Sequence, residues 1–232
     1  MIGTIQERFW ISAVIPTLNA AGSVAETLMA LRNSALVREV IVADGGSSDE
    51  TVARADSAGA QVVAAPRGRG GQLAAGAAAA SGNWLLFLHA DCRLEPGWER
   101  AVDAFLTAPA AEARAGYFDL ALDDPAPAAR RLEHVVAWRS RFLALPYGDQ
   151  GLLIARRLYD AVGGFAPLPL MEDVDLVRRL GRRRLARIGA RCVASARRYR
   201  RDGYVRRPLR NLLCLLLYFI GVPPARIVRL YG

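Results

Sequence analysis

The sequence predicts an α/β protein with a mainly parallel central sheet covered by helices on both faces. Short apolar runs recur at residues 11–15, 39–43, 61–64 and 84–88, separated by segments of helical length and pattern. Three of these strands run into polar clusters: Pro16-Thr17-Leu18-Asn19, Asp44-Gly45-Gly46-Ser47-Ser48-Asp49-Glu50-Thr51, and His89-Ala90-Asp91-Cys92-Arg93. A parallel sheet collects ligand groups in this way, at the carboxyl ends of its strands. With 232 residues, 53% hydrophobic and 23% charged, the chain can bury one substantial core and lacks the composition of a disordered segment.

Each element has a local reason. Residues 11–15 read as a buried strand. Residues 23–31 read as a helix with a polar start after Gly22 and with Val24, Leu28 and Leu31 on one face. Residues 39–43 form the next strand. Ser47 or Ser48 then stands where it can cap a helix beginning near Asp49 and Glu50, whose carboxylates suit the positive helix end by about 0.3–1 kcal/mol each. Residues 61–64 are a third strand. Arg67-Gly68-Arg69-Gly70-Gly71 reads as a flexible basic loop, followed by an alanine-rich helix to Ala80 and a buried strand over 84–88.

Beyond Pro96 the pattern predicts a helix over 98–106, a strand over 116–122 and a turn at Asp124-Pro125-Ala126-Pro127. A helix over 128–145, a short strand over 151–154 and a helix over 172–181 follow, the last with acids first and arginines last. Residues 186–193 supply the final strand. From Arg197 the chain turns basic, then apolar over 212–222, until Pro223-Pro224 stops the segment. That apolar stretch is shorter than the roughly 20 residues a bilayer span needs. The composition shift divides the chain into an α/β domain over residues 1–200 and a basic and apolar helical segment over 201–232.

No lysine occurs, so the net charge of +9 rests on arginine, and Schiff-base chemistry through lysine is excluded. The arginines concentrate after Arg178, whereas the first half is near balance, which points to anionic partners for the C-terminal part. Cys92, Cys192 and Cys214 are too few and too scattered for a disulfide framework or a zinc spacing, and fit a reducing cytoplasm. Residues 1–9, MIGTIQERF, lack the apolar stretch of a secretory leader.

The polar clusters suggest chemistry, and each also has a plainer use. His89-Ala90-Asp91 brings an imidazole and a carboxylate to a strand end, where they can seat Mg²⁺ or Mn²⁺, with histidine tilting the choice toward Mn²⁺; the plain reading is a polar strand end. Asp44 can accept hydrogen bonds from a base or ribose, and the glycines after it let the main chain approach; the cluster is equally a strand-to-helix turn. Glu172 and Asp173 follow Gly163-Gly164-Phe165 and open a helix; they can serve as a base toward an acceptor hydroxyl or simply start the helix. Arg69 and Gly70 in the basic loop, and Arg198 among the later arginines, are candidate phosphate contacts, although most arginine runs are solvated faces. His134, on a helix with Trp138, receives no chemical role.

Taken in order, these residues resemble the family 2 glycosyltransferases of the GT-A (nucleotide-diphospho-sugar transferase) fold. Val14-Ile15-Pro16-Thr17-Leu18-Asn19 is similar to the family's opening strand and loop, and Val42 through Thr51 to its nucleotide-binding turn. The resemblance implies that Pro16, Thr17 and Asn19 border the donor, that Asp44 holds the base, and that Asp91 ligates the metal with His89 in place of the usual first aspartate. It also implies that Glu172-Asp173 is the catalytic pair, with Asp173 as base. Ser195-Ala196-Arg197-Arg198-Tyr199 stands where polymerising members carry Gln-x-x-Arg-Trp, so the chain resembles the small, single-transfer members.

The function expected on this basis is inverting sugar transfer from a nucleotide-diphosphate donor, assisted by Mn²⁺ or Mg²⁺, to an unidentified acceptor of lipid-like character. Peripheral contact with the inner face of the cell membrane and a homodimer complete the expected partners, and nucleic acid is not expected. The competing readings are a nucleotidyltransferase, which would release pyrophosphate, and a basic membrane-surface or nucleic-acid-binding protein with non-catalytic nucleotide loops.

Overall fold

The computed structural model describes residues 9–231; the segment read against a secretory leader lies outside the described residues except for Phe9. The strands are β1 (Ile11–Thr17), β2 (Val37–Asp44), β3 (Gln61–Ala64), β4 (Trp84–Phe87), β5 (Cys92–Leu94), β6 (Ala115–Leu122), β7 (Leu152–Ala155) and β8 (Leu185–Ala194). They form one sheet in the order β3-β2-β1-β4-β7-β6-β8-β5. The helices between and after them are α1 (Val24–Arg32), α2 (Thr51–Ser57), α3 (Arg69–Ala79), α4 (Trp98–Thr107), α5 (Pro127–Leu143), α6 (Arg156–Ala161), α7 (Glu172–Leu180), α8 (Arg197–Asp202), α9 (Arg206–Phe219) and α10 (Pro224–Tyr231).

The first half is the parallel sheet that the alternating pattern dictates: β1 pairs parallel with both β2 and β4, and β2 with β3. The second half makes the sheet mixed. β7 runs antiparallel to β4 and β6, β6 runs parallel to β8, and β5 closes the edge antiparallel to β8. All seven residues of β1 are buried, as a continuous apolar run between two neighbours requires. The core continues through Leu85, Leu86, Phe118 and Leu153, with Trp84 edge-on to Phe105 at 6.0 Å. Burying a large apolar side chain of this kind stabilises by about 1.5–3 kcal/mol.

Strand order reverses at β1, because β2 and β3 lie on one side of it and β4 on the other. The β1–β4 ladder ends at Val14–Phe87, while β1 continues beside β2 to the Thr17–Asp44 pair. Pro16, which has no N–H to give, therefore stands where one flank of the strand is already released. The crevice at such a switch point is where open α/β sheets bind ligands.

Three local expectations are corrected. Neither Ser47 nor Ser48 caps α2: Asp49 Oδ1 accepts from the Thr51 N–H at 3.0 Å, while the serines turn toward the β1 loop. Arg69-Gly70-Gly71 is the first turn of α3 rather than a flexible loop, because the Gly70 N–H is held by Leu168 O at 3.0 Å. Pro223-Pro224 does not end the helical tail. Gly221, at φ +87°, makes the break, and Pro224 takes the first position of α10, where a missing N–H costs nothing.

The tail folds back on the domain. Cys214, Leu215 and Ile227 pack with Leu170, Met171 and Val174 as a small second apolar cluster, placing α9 and α10 against the start of α7.

Candidate active site

The loops after β1 and β2 are stitched together. Asn19 (φ 51°) donates its N–H to Ser47 Oγ at 2.9 Å, and its Oδ1 accepts from the Ser48 N–H at 2.9 Å. Asp44 accepts from Thr17 Oγ1 (2.9 Å), Ser47 Oγ (2.5 Å) and the N–H groups of Gly46 (2.9 Å) and Ser47 (2.8 Å). Burial works to raise the Asp44 pKa, but the bonds from Ser47, Thr17 and Gly46 outweigh it and leave the pKa below the ordinary carboxylate value. The structure thus gives Asp44 the capping duty that the spacing did not reveal. Gln72, buried on α3, braces the pair from beneath by donating to Thr17 O (2.6 Å) and Ala43 O (3.0 Å).

β4 ends one strand beyond β1, and the chain then carries His89 and Asp91 across the sheet margin. Asp91 O accepts the Ser195 N–H at 3.0 Å, which brings the end of β8 and the start of α8 to the same place. A tight turn at Gly148–Gln150 closes the other side. Gln150 anchors that turn by accepting from Ser140 Oγ (2.9 Å) and the Tyr147 N–H (3.2 Å) and donating to Phe118 O (3.0 Å).

Gly148 fixes the meeting of the two halves. Its N–H donates to Asp173 Oδ2 at 2.7 Å, and a Cβ there would lie 2.5 Å from His89 Nε2 and 3.5 Å from Asp173 Oδ2. Only glycine lets the imidazole and the carboxylate approach the same backbone atom. The other Asp173 oxygen accepts the Val174 N–H at 2.7 Å, so two backbone donors orient this carboxylate at the start of α7.

Arg69, His89, Asp91, Asp149, Asp173 and Arg198 line one cavity, with Tyr147, Tyr199 and Tyr231 as aromatic walls and Leu170, Met171 and Val174 as its apolar side. Burial, with Arg69 adding to it, holds the His89 pKa at about 4 against the pull of Asp91 and Asp173, so the ring is neutral at physiological pH. Asp149 is pushed up to about 6, mainly by burial; Arg139 opposes the shift, and Asp173 and Asp91 add to it. Glu172 does not reach the cavity. It is fully buried behind Asp173 with Arg69 Nε 3.0 Å from Oε1, and burial raises its pKa to about 7 although Arg69 opposes it.

The metal-type cluster withstands a chemical test. Ligand atoms of His89, Asp91 and Cys92 lie within 4.8 Å of one another. A neutral imidazole and a carboxylate fit Mn²⁺ better than Mg²⁺. Cys92 is a poorer donor, because its hydrogen bond with Cys192 and its burial keep the thiol pKa high. His89 and Asp91 are therefore the pair that can hold an ion.

The sequence expectations divide accordingly. His89, Asp91, Asp173, Arg69 and Arg198 come together in the cavity. Arg198 has no acidic partner among the described residues and is exposed at the cavity rim. Pro16 and Thr17 are buried in β1, with the Thr17 hydroxyl spent on Asp44. Asp44 and Asn19 occupy the same carboxyl edge of the sheet, with β2 two strand spacings, about 10 Å, from β4. Gly70 lies against another segment of the chain: a Cβ there would be 2.2 Å from Ala166 O and 2.7 Å from Leu168 O, so its smallness serves packing. Tyr147, Gly148, Asp149, Tyr231 and Gln72 were missed. The only signal for the 147–149 group was a polar triplet placed before a strand instead of after one.

The mixed sheet and the helices around it have the GT-A fold. The sequence model of glycosyl transferase family 2 matches residues 12–166, and the chain belongs to that family. It is 42% identical over 93 residues to a glucosyl-3-phosphoglycerate synthase of Mycolicibacterium smegmatis (strain ATCC 700084 / mc(2)155), covering 35% of this chain and 30% of that protein. It is 39% identical over 82 residues to an uncharacterized glycosyltransferase of Rickettsia felis (strain ATCC VR-1525 / URRWXCal2), covering 35% and 28%. The matched stretch thus spans less than a third of each curated relative. Crystal structures of glucosyl-3-phosphoglycerate synthase from Mycobacterium tuberculosis share the fold. The complex with Mn²⁺, uridine diphosphate and glucosyl-3-phosphoglycerate aligns at a TM-score of 0.61 and 24% identity, over 94% of this chain and 82% of that one. A further structure of that enzyme aligns at 0.64 and 24%, over 96% and 86%.

Proposed function

We propose that the protein transfers a sugar from a uridine-diphosphate donor to a hydroxyl acceptor, with inversion at the anomeric carbon. The observation that carries this reading is the convergence of the His89–Asp91 pair, the Asp173 carboxylate and the Arg198 guanidinium on one cavity at the carboxyl edge of the sheet. Nucleotide type and Mn²⁺ are taken from the mycobacterial relative, which binds both.

In the reaction, the loops around Asn19, Asp44 and Ser47 receive the nucleoside. His89 and Asp91 would hold a divalent ion, which when bound would supply positive charge to offset that of the departing diphosphate. Arg198 supplies further positive charge to those oxygens. Asp173, oriented by the N–H groups of Gly148 and Val174, takes the proton of the acceptor hydroxyl. The acceptor oxygen bonds to the anomeric carbon as the bond from that carbon to the diphosphate oxygen breaks. Glu172, next to Asp173 in the first turn of α7, is held by Arg69. The acceptor approaches over Leu170, Met171, Val174 and Tyr231, an apolar and aromatic wall that suits a lipid-like alcohol.

Two variants test the assignment. Asp173→Asn lowers kcat by about 10²–10⁴-fold with donor affinity retained; undiminished transfer to an alcohol removes Asp173 as base. Asp91→Ala abolishes Mn²⁺-dependent binding of uridine-diphosphate sugars in calorimetry, and unchanged affinity ends the metal assignment. Proton NMR of the product reads the anomeric configuration, where retention refutes inversion. Pyrophosphate in place of uridine diphosphate among the products identifies a nucleotidyltransferase. Turnover of phosphoglycerate but of no lipid alcohol replaces the acceptor class.

A further inference from the structure

The face of α9 turned away from the domain has no partner among the described residues. Leu209, Leu212, Leu213, Leu216 and Phe219, flanked by Val205 and Ile220, are 44–76% exposed at i, i+3, i+4 and i+7 spacing. The opposite face carries Arg207, Cys214 and Leu215 into the fold. A second exposed set, Val135, Trp138, Phe142 and Leu143, lies on α5. Two arginines of one segment link the two sets. Arg178 lies 5.0 Å over the Phe219 ring, and Arg182, four residues later, donates to Phe142 O at 3.1 Å. Leu145, just past α5, packs with Leu217 and Tyr218 on the small apolar cluster beneath.

The surroundings of this patch are basic. Asp202 is the last acidic residue of the sequence, and Arg206, Arg226 and Arg229 are exposed along the tail. Arg141, Arg178, Arg182, Arg183 and Arg184 are exposed beside the α5 end. A second copy related by a two-fold axis would set arginine against arginine on this face, with no acid of residues 203–232 to answer it. Anionic headgroups answer it directly. At 14 residues α9 is shorter than the roughly 20 a span requires, so its stripe lies along a surface and not through it.

We propose that the outer face of α9 and the end of α5 seat the protein on an anionic lipid surface, with α9 lying in the interfacial plane. Arg207 and Asn211, on the inner side of the same helix, line the cavity, so docking leaves about one helix diameter, roughly 10 Å, between the active site and the lipid layer. The use of that position to meet a lipid-like acceptor rests on the function proposed above; the docking itself does not.

Flotation of the full chain with vesicles decides it. The protein co-floats with phosphatidylglycerol-containing vesicles, is released by high salt, and ignores pure phosphatidylcholine. Leu212→Glu/Leu216→Glu weakens vesicle binding about tenfold or more, while melting temperature and turnover of a soluble acceptor stay at the parent values. Leu212→Ala/Leu216→Ala gives an intermediate loss and serves as the control should the charged variant unfold. No flotation with anionic vesicles, or flotation that the glutamates leave unchanged, overturns the proposal. A dimer in light scattering that the glutamates dissociate, without vesicle binding, assigns the face to a second copy instead. Transfer activity is read separately, so its absence from a vesicle-bound protein counts against the proposed reaction and not against docking.

Discussion

Asp149 is the residue whose environment is furthest from what its neighbours in sequence suggest. Its Oδ1 is buried without a hydrogen-bond donor, and its pKa stands at about 6 for the reason given above, burial first. A carboxyl whose folded pKa lies above its unfolded value binds more protons folded than unfolded between the two. The stability it contributes is therefore present below about pH 4 and is lost as pH rises through about 6. Asp149→Asn removes that titration. Relative to the variant, the parent protein loses on the order of 2 kcal/mol between pH 4 and pH 7 in denaturant titrations; parallel curves would contradict it. The sequence could not announce Asp149, because its character comes from burial and then from Arg139, Asp173, Asp91 and Arg69, the last three brought in from remote parts of the chain. His89, Asp91 and Asp173 were legible because each sits at the end of a patterned strand or the start of a patterned helix. Asp44 was legible as special, but its four internal hydrogen-bond donors were not.

Among elements, α3 shows how a strand edge is held in place. Gly70 lets its first turn press on residues 166–168, and Gln72, one residue past Gly71, reaches the carbonyls that end β1 and β2. Gln72→Leu keeps the volume but leaves Thr17 O and Ala43 O without this donor in a buried place. Thr17 O keeps the Gly45 N–H at 2.9 Å, so the expected cost is about 1–3 kcal/mol in urea unfolding. Weaker nucleotide binding should accompany it, because the same carbonyls fix the Thr17–Asp44 register. The long strands and helices were readable from periodicity. The three-residue β5 and six-residue α6 were not, since segments that short span fewer than two pattern repeats. The serine caps failed for a different reason: contacts across the β1 and β2 loops outweighed local capping preference.

For the whole molecule, the tail is tied down at one buried cation. Arg207, 2% exposed, pairs with Asp202 Oδ2 at 3.2 Å, donates to Tyr231 O at 3.2 Å, and lies 4.4 Å over the Tyr231 ring. Arg207→Met leaves Tyr231 O and the Tyr231 ring without their cation while Asp202 keeps Arg201, and lowers stability by about 1–3 kcal/mol. Hydrogen exchange should localise the change, with amides of α10 losing protection while those of β1 and β4 keep theirs; uniform loss would mean that the tail and sheet unfold as one unit. The mixed half of the sheet was beyond sequence reasoning, since strand direction there depends on pairings between segments far apart in the chain.

The Tyr231 ring, held between Arg207 and, at 6.0 Å, Arg69, forms part of the cavity wall. Whatever polypeptide is joined after it must therefore depart from beside that wall. An affinity handle fused there would crowd the cavity.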